Sequence, residues 1–226
     1  MSQGTAIIDN AAAARAWIAD LPGVSRETFA ALDAYIARLR DESTRQNLVA
    51  ASTLAEDILW NRHILDSAQC LAHAPGAGRW VDLGSGPGLP GLIVAILAPK
   101  MHVTLIESRR LRVEFLQRCV AEIGLNQRVN VVQARVETLP PCAYDVISAR
   151  AFAPLARLIP TARHLAGAQT RWILPMGQGA KTALSTLPAP WQRCFALCPS
   201  LTDAASGLLI GNGEFNDIKS LKRNRN

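Results

Sequence analysis

The sequence lacks the features of membrane-spanning and secreted proteins. No apolar run reaches the roughly 18 residues that a membrane-spanning helix needs, and the N-terminus has no basic region followed by a long apolar stretch. The five cysteines are odd in number and widely scattered, which fits neither a disulfide framework nor the spacing of a zinc site. We therefore expect a cytoplasmic monomer with reduced thiols, without a signal peptide, a metal or a membrane partner.

Lysine is also scarce. Only Lys100, Lys181, Lys219 and Lys222 are present, so arginine supplies most of the positive charge behind the formal net charge of +6. Because guanidinium groups bind phosphate bidentately and stack on bases, this charge favours a nucleic-acid partner over a neutral metabolite. A genomic bias toward arginine codons is the alternative, so the charge by itself decides little.

The chain divides into a helical part and an α/β part. Ser25 is suited to cap a helix, and Thr53 to Glu56 resembles a capping box that opens another, with Ile58 on its buried face. We predict a helical extension over residues 1–77 and, over residues 78–226, an α/β domain whose mostly parallel sheet carries helices on both faces. Strands are expected at residues 79–83, 102–106, 129–133, 144–148 and 171–174, with closing strands near 194–197 and 207–210.

The most informative stretch runs from Val81 to Gly91. An apolar strand leads into eight residues with four glycines and two prolines, and an apolar helix follows. Glycine tolerates positive φ and lets the backbone approach a ligand, and a helix N-terminus offers unpaired N–H groups. Strand, turn and helix in this order form the nucleotide-binding corner of an open α/β sheet.

Gly86 to Gly91 fits the dinucleotide fingerprint G-x-G-x-x-G, but Asp82 at the strand end indicates a different nucleotide. A carboxylate repels a pyrophosphate, whereas it attracts an ammonium group. A ligand that combines adenosine with a cation fits, and S-adenosylmethionine is such a ligand. The residues of this stretch expected to bind it are Asp82, Gly84, Ser85, Gly86, Gly88 and Leu89.

Positions after the next three strands complete the expected cofactor site. Glu107 ends the second strand, where an acidic residue accepts hydrogen bonds from the ribose hydroxyls. Val136 and Glu137 follow the third strand, where an apolar wall and a polar group suit the adenine. Arg150 follows the fourth strand, and we favour a site role over a structural pairing with Asp145, because the neighbouring alanines leave room for a ligand.

Absent motifs narrow the reaction. Enzymes that methylate exocyclic amines carry Asn or Asp, then Pro-Pro and an aromatic residue, after the fourth strand, whereas this chain has Ser148-Ala149-Arg150-Ala151. Methylation of a pyrimidine carbon needs a cysteine nucleophile, and Cys142 lies at the wrong end of the sheet. No general base is evident, which suits guanine N7, an exposed lone pair from which no proton is removed. We expect no catalytic side chain, only alignment, with Arg150 positioning the base or the methionine end of the cofactor.

Five motifs in this order resemble one family: Asn47-Leu48, Arg62-His63-Ile64-Leu65-Asp66-Ser67, the glycine loop, Arg135-Val136-Glu137 and Ser148-Ala149-Arg150-Ala151-Phe152. From the second helix onward, nearly the whole chain resembles the RsmG family, also called the glucose-inhibited division protein B family. The resemblance implies a class I S-adenosylmethionine-dependent methyltransferase of Rossmann-like fold. It also implies methyl transfer to guanine N7 in the decoding-region hairpin of 16S rRNA, with that rRNA or the small ribosomal subunit as partner.

Residue roles follow from the same resemblance. Arg62 and His63 match a family motif and are expected to contact RNA or to pack the helices on the sheet. Where the family often has a lysine before a glycine, this chain has Met176-Gly177, so we expect nearby residues such as Lys181 to contact the RNA. The family's cofactor contacts fall on Gly84, Leu89, Val136, Glu137 and Arg150.

Two other functions stay open at this point. An NAD-dependent oxidoreductase would use the fingerprint from Gly86 to Gly91, although the roughly 150 residues that follow Arg79 make only one nucleotide-binding unit. An RNA-binding ribosome-assembly protein with a vestigial cofactor pocket is the second alternative. The intact set of Asp82, Gly84 and Glu107 argues against it.

Overall fold

The computed structural model describes residues 6–74, 76, 78–213 and 215 of the protein. Its strands are β1 (Arg79–Leu83), β2 (His102–Glu107), β3 (Val129–Gln133), β4 (Tyr144–Ala149), β5 (Ala166–Met176), β6 (Phe195–Pro199) and β7 (Gly207–Asn212). They form one sheet with the order β3-β2-β1-β4-β5-β7-β6, in which β1 to β5 run parallel. Strand β7 pairs antiparallel with both β5 and β6. All seven predicted strands are confirmed, and β5 is longer than predicted because it pairs with β4 from Ala166 and with β7 as far as Met176.

Helical segments flank this sheet. The α-helices are α1 (Ala11–Ala19), α2 (Arg26–Glu42), α3 (Glu56–Leu59), α4 (Asp66–Ala68), α5 (Gly91–Leu97), α6 (Arg110–Glu122), α7 (Leu155–Ala162), α8 (Ala180–Ser185) and α9 (Ala189–Gln192). A π-helical turn, Trp60–Leu65, joins α3 to α4. No helix within the described ranges is long and apolar enough to cross a membrane.

Two hydrophobic cores form because alternate residues of a strand face opposite sides of the sheet. Trp80 of β1 packs into a core with α1, α2, α5 and α6. Val81 and Leu83 pack into the other core, with α7 and α9. The predicted arrangement, a mostly parallel sheet with helices on both faces, is confirmed.

The helices before β1 share the first of these cores. Leu32 of α2 and Trp60 of the π-helical turn are buried in the same cluster as Leu92 of α5. The Tyr35 hydroxyl of α2 also donates a 3.0 Å hydrogen bond to the Pro87 carbonyl in the glycine loop. The extension therefore packs directly on the loop that follows β1. The division into domains at residues 77 and 78 stays a prediction.

One of the two predicted helix caps is found. Ser25 caps α2, since its Oγ accepts from the Thr28 amide while the Thr28 hydroxyl accepts from the Ser25 amide. The predicted capping box from Thr53 to Glu56 is wrong. Helix α3 begins at Glu56 without a side-chain cap, because the Thr53 hydroxyl donates instead to the Ala50 carbonyl.

The π-helical turn also changes which residues face the core. A π turn is wider than an α turn, so residues before and after it lie on different helical phases. Ile58, which we predicted to be buried, is 39% exposed. Leu65 and Ala68, which the same pattern placed on the buried face, are buried as predicted, together with His63 and Ile64. A 3.6-residue pattern therefore assigns the correct face after the π turn and the wrong one before it.

The strand order decides where a ligand can bind. From β1 the chain builds outward through β2 to β3, and it then returns to β4 on the other side of β1. In open α/β sheets, ligands bind at the carboxyl ends of the strands where the order reverses in this way. The crevice between the ends of β1 and β4 is therefore the candidate site.

We predict that Tyr35→Phe lowers the free energy of unfolding by about 1–2 kcal/mol, because the buried Pro87 carbonyl loses its donor. Equilibrium unfolding in urea measures this change. The matched control is Tyr144→Phe at the only other tyrosine, whose ring contacts Arg79 and whose hydroxyl has no hydrogen-bond partner within the described residues. The control should stay within about 0.5 kcal/mol of the unaltered protein. Equal losses in both variants would contradict the prediction.

Candidate active site

The loop between β1 and α5 is buried almost throughout. From Val81 to Leu97, only Gly84 is partly exposed. Its φ is +65°, and a Cβ built on it would lie 2.5 Å from Cδ2 of Phe152, so the position requires glycine. A Cβ on Gly91 would lie 2.6 Å from Cβ of Asp82. Close packing inside the protein, more than contact with a ligand, explains the glycine at this second position.

Asp82 lies beneath the loop and not on a cavity wall. Its side chain is fully buried, and its carboxylate accepts hydrogen bonds from the Ser148 hydroxyl at 2.6 Å and from the Gly91 amide at 3.2 Å. Burial raises the pKa of the Asp82 carboxyl, and these donors oppose that rise. The expectation that this carboxylate faces a cationic ligand is corrected. It joins β1, β4 and the start of α5.

A cavity of about 340 Å³, cavity 1, opens at the carboxyl ends of β1, β2 and β3. Gly84, Glu107, Val136 and Glu137 lie on its wall, so four of the predicted cofactor residues meet there. Phe152 closes the side next to β4. The size and the position match those of small-molecule sites in open α/β sheets.

The Glu107 carboxylate in cavity 1 is oriented by backbone donors. One oxygen accepts from the Gly86 amide at 3.0 Å, and the other accepts from the Ser108 and Arg109 amides at 2.7 and 2.9 Å. The Arg112 guanidinium lies 3.8 Å from the first oxygen. Since a carboxylate has about four lone-pair positions, these three hydrogen bonds leave room for one further donor from a ligand.

The charge around cavity 1 is mainly positive. Its wall carries four guanidinium groups and two carboxylates, those of Arg109, Arg112, Arg135, Arg157, Glu107 and Glu137. Arginine binds phosphate through two parallel N–H donors, so such a rim suits a polyanion better than a neutral molecule. This distribution agrees with the nucleic-acid partner that the arginine content favours.

A second cavity of about 310 Å³, cavity 2, adjoins cavity 1 at Ala151, which lines both. Its wall is built from the ends of β4 and β5, the π-helical turn with the start of α4, and the turn between β6 and β7. Its charged side chains are those of Arg62, Asp66, Arg150 and Asp203, and the His63 imidazole lies among them.

Arg150 is fixed in cavity 2 by the extension. Its guanidinium donates to the Arg62 carbonyl at 3.0 Å and to the Asp66 carboxylate at 3.3 Å, and it lies 3.4 Å from Nδ1 of His63. Asp145, the structural partner weighed from the sequence, instead accepts two backbone N–H groups around the start of β1. Arg150 therefore belongs to cavity 2, where Asp66 is its ion-pair partner.

His63 connects Arg150 to the turn before α3. Because a guanidinium only donates, Nδ1 of His63 accepts from Arg150, and the Nε2–H group donates to the Thr53 hydroxyl at 2.8 Å. The Thr53 hydroxyl donates onward to the Ala50 carbonyl. Burial, with the charges of Arg150 and Arg62, lowers the pKa of His63 to about 4. Because Nδ1 accepts a hydrogen bond, the imidazole must be neutral, and a pKa of about 4 keeps it neutral at pH 7.

The other predicted site residues lie in different places: some line cavity 2, one lines a separate cavity, and some are buried within the loop. Arg62 and His63 line cavity 2, whereas Lys181 lines a separate cavity beside α8. With 8% exposure and partners on both nitrogens, the His63 ring packs the extension against the sheet edge and does not present itself to RNA. Four predicted cofactor residues are buried within the loop and line neither cavity: Ser85, Gly86, Gly88 and Leu89.

Sequence reasoning missed several residues of the two cavities, and four of them show what signal was present or absent. Phe152 and Asp66 stand inside the quoted motifs, so a signal was present without an assigned role. Arg157 follows the last of these motifs, on a helix whose facing the sequence does not reveal. Asp203 lies in a turn between strands that no motif covers, and only the folded chain brings it to cavity 2.

The family model and the curated relatives that match this chain name the same family. The family model GidB, described as rRNA small subunit methyltransferase G, matches residues 28–204. The Ribosomal RNA small subunit methyltransferase G of Rhizorhabdus wittichii is 45% identical over 201 residues, which cover 88% of this chain and 91% of that protein. The protein of the same name from Sphingopyxis alaskensis is 47% identical over 203 residues, which cover 89% of this chain and 85% of that protein.

Solved structures share the fold at low identity. A mutant of MtNAS in complex with S-adenosylmethionine aligns with a TM-score of 0.55 and 18% identity, over 90% of this chain and 84% of that chain. The B. subtilis tRNA methyltransferase TrmK aligns with a TM-score of 0.50 and 15% identity, over 66% and 65%. The predicted class I methyltransferase fold is confirmed. Since the family match runs from α2 in the extension to the turn before β7, the chain belongs to the rRNA small subunit methyltransferase G (GidB) family, as its five motifs predicted.

Proposed function

We propose that this protein transfers the methyl group of S-adenosylmethionine to N7 of a guanine in the decoding-region hairpin of 16S rRNA. The family is S-adenosylmethionine-dependent, so this molecule is the cofactor. The observation that carries the proposal is the pair of cavities that meet at Ala151, where the strand order reverses. Direct transfer requires such a pair, with a nucleoside cofactor on one side and an acceptor base on the other.

The residues of cavity 1 fit this cofactor. Glu107 is a fixed carboxylate with a free acceptor position for a ribose hydroxyl. Val136 supplies an apolar wall for the adenine, and Glu137 supplies a hydrogen-bond acceptor. The absence of a Cβ at Gly84 keeps the loop clear of Phe152, so the cavity stays open. S-adenosylmethionine supplies a methyl group activated by a positively charged sulfur.

The residues of cavity 2 fit a base that belongs to an RNA strand. Arg150 is a hydrogen-bond donor fixed by partners on the extension, which gives the base a defined orientation. Arg62 is exposed, and its guanidinium makes no hydrogen bond or ion pair within the described part of the chain, so it can bind a phosphate. Lys181 in the adjoining cavity extends this cationic surface.

The transfer needs no general base. The N7 lone pair would form the new bond to the methyl carbon, and the electron pair of the broken carbon–sulfur bond would stay on sulfur. No proton leaves guanine, and the positive charge passes to the methylated ring. What the chain contributes is alignment of N7 with the methyl group and exclusion of water, worth several kcal/mol as an effective molarity.

Of the two other functions that the sequence left open, one is excluded and the structure argues against the other. Membership in a methyltransferase family removes the NAD-dependent oxidoreductase. The RNA-binding protein with a vestigial pocket is opposed by the open cavity 1 and its oriented Glu107. The cytoplasmic location and the monomeric state stay predictions.

The function is tested by incubating the purified protein with methyl-labelled S-adenosylmethionine and small ribosomal subunits that lack the modification. Borohydride reduction and aniline cleavage, read by primer extension, locate N7-methylguanine in the 16S rRNA. We expect one modified guanine in the decoding-region hairpin. Naked 16S rRNA and tRNA are run in parallel as competing acceptors. Label at another atom, or no label although S-adenosylhomocysteine binds, would refute the proposal.

We predict that Gly84→Ala weakens S-adenosylhomocysteine binding by more than about tenfold, because the new methyl group collides with Phe152 beside cavity 1. Isothermal titration calorimetry measures the affinity. Gly124→Ala is the control, since Gly124 also has positive φ, at +74°, but no atom within 4 Å of its added Cβ. Both variants should lose about 1 kcal/mol of stability from backbone strain, Gly84→Ala should lose more because of the collision, and only Gly84→Ala should lose affinity. Unchanged affinity in Gly84→Ala would contradict the assignment of cavity 1.

We predict that the protein loses stability below pH 6.5 through His63. The pKa of His63 is about 4 in the folded protein and near 6.5 when unfolded, so the unfolded chain binds the proton more tightly between these values. This stability is complete above pH 6.5 and is lost as pH falls toward 4, by at most about 3 kcal/mol. Urea unfolding at pH 7.5 and 4.5 should show a smaller difference for His63→Asn than for the unaltered protein. The same substitution at the exposed His102 should leave the difference unchanged.

A further inference from the structure

The far wall of cavity 2 carries a carboxylate that the proposed function does not yet use. Along the sheet edge, Ala151 follows β4, Met176 ends β5, and the turn with Asp203 precedes β7. Gly207, the first residue of β7, pairs with Met176. Asp203 is therefore on the side of cavity 2 away from cavity 1. Two strand spacings, about 10 Å, separate β4 from β7, which is enough for a purine and a hydrogen bond.

Of the two carboxylates in cavity 2, only Asp203 is without an ion-pair partner in the described part of the chain. Asp66 is paired with Arg150 and also accepts from the Gln69 amide group. The Asp203 oxygens accept from the Ala205 amide and from a hydroxyl of the same turn, each at 2.9 Å. These bonds lower the pKa of the Asp203 carboxyl, so it is ionised at neutral pH. The Gln178 side chain and the charge of Arg62 act on the same carboxyl, and each oxygen has a second lone pair beside its turn bond that can accept from a ligand.

Guanine and adenine differ on the edge that such a carboxylate would meet. Guanine has N7 and O6 as acceptors on its major-groove edge and an amino donor at N2. Its N1–H is a second donor beside N2, whereas adenine presents an acceptor at N1 and has no amino group at position 2. When N7 points toward cavity 1 and its methyl donor, N1 and N2 point away from it, toward the wall that carries Asp203.

We propose that Asp203 selects guanine in cavity 2 by accepting hydrogen bonds from N1–H and the N2 amino group. This inference rests on the proposed function and deepens it, because it names a residue that determines the acceptor base. The carboxylate repels the N1 lone pair of adenine, so adenine would meet this charge without a donor to pair with it. It also lies near the positive charge that methylation creates on the ring.

The test combines a substitution in the protein with one in the RNA. Asp203→Asn keeps an oxygen acceptor for the turn but loses the charge and adds an N–H₂ donor facing guanine. Inosine at the target position keeps N7, O6 and N1–H but lacks the N2 amino group. Transfer is measured as kcat/KM on small subunits reconstituted with 16S rRNA that carries guanine or inosine at that position.

We expect the unaltered protein to prefer guanine over inosine by at least about tenfold, as for one hydrogen bond to a charged group. In Asp203→Asn, this preference should fall to near one. Ser206→Ala removes a donor within the turn while the carboxylate stays, so the preference should persist. Asp41→Asn, on the exposed face of α2, should leave both rates unchanged.

The outcomes separate the two proposals. If Asp203→Asn lowers transfer to guanine and inosine equally, or keeps the preference, Asp203 serves only the turn and this inference is overturned. An unaltered protein that methylates guanine N7 without any preference over inosine would overturn it as well. Absence of N7 transfer by the unaltered protein would overturn the proposed function and this inference with it.

Discussion

A buried carboxylate holds the centre of this structure together. Asp82 is fully buried and makes no ion pair within the described ranges, so its carboxyl oxygens are satisfied by hydrogen bonds alone. The Trp80 indole donates to the Ser148 hydroxyl at 2.8 Å, and that hydroxyl donates to Asp82. The amide of Gly91 supplies a second donor from the start of α5. Because an unsatisfied buried charge is costly, this chain of donors fixes β1, β4 and the loop exit relative to one another.

The helical extension depends on the same centre and completes the site. Tyr35 of α2 bonds to the loop from above, while Asp82 bonds to it from below. Further along the extension, the π-helical turn presents the Arg62 carbonyl and His63 to Arg150, and Asp66 follows directly. The extension thus covers the loop beside cavity 1 and builds one wall of cavity 2. It takes part in the site as much as the sheet does.

Charge is divided between the two cavities in a way that suits their contents. Cavity 1 has an arginine rim around a carboxylate that is already oriented by the backbone. Cavity 2 pairs its fixed cation, Arg150, with Asp66 and keeps Asp203 at the opposite wall. In the proposed function, the arginine rim of cavity 1 attracts the RNA strand and cavity 2 receives the base. Under that proposal, attraction and selection of the base act at different places.

The sequence by itself determined the strands, their order of alternation with helices, the family and four residues of cavity 1, because these follow from local periodicity, from glycine geometry and from motifs of contiguous residues. The tertiary structure decided which side chains face the cavities. Asp82 appears at a strand end like Glu107, yet the extension and α5 cover it while Glu107 reaches the edge. Arg150 was a candidate from the sequence, but its partner Asp66 lies 84 residues away and meets it only after folding. The direction in which a side chain points depends on the segments that pack against it, and those contacts are long-range.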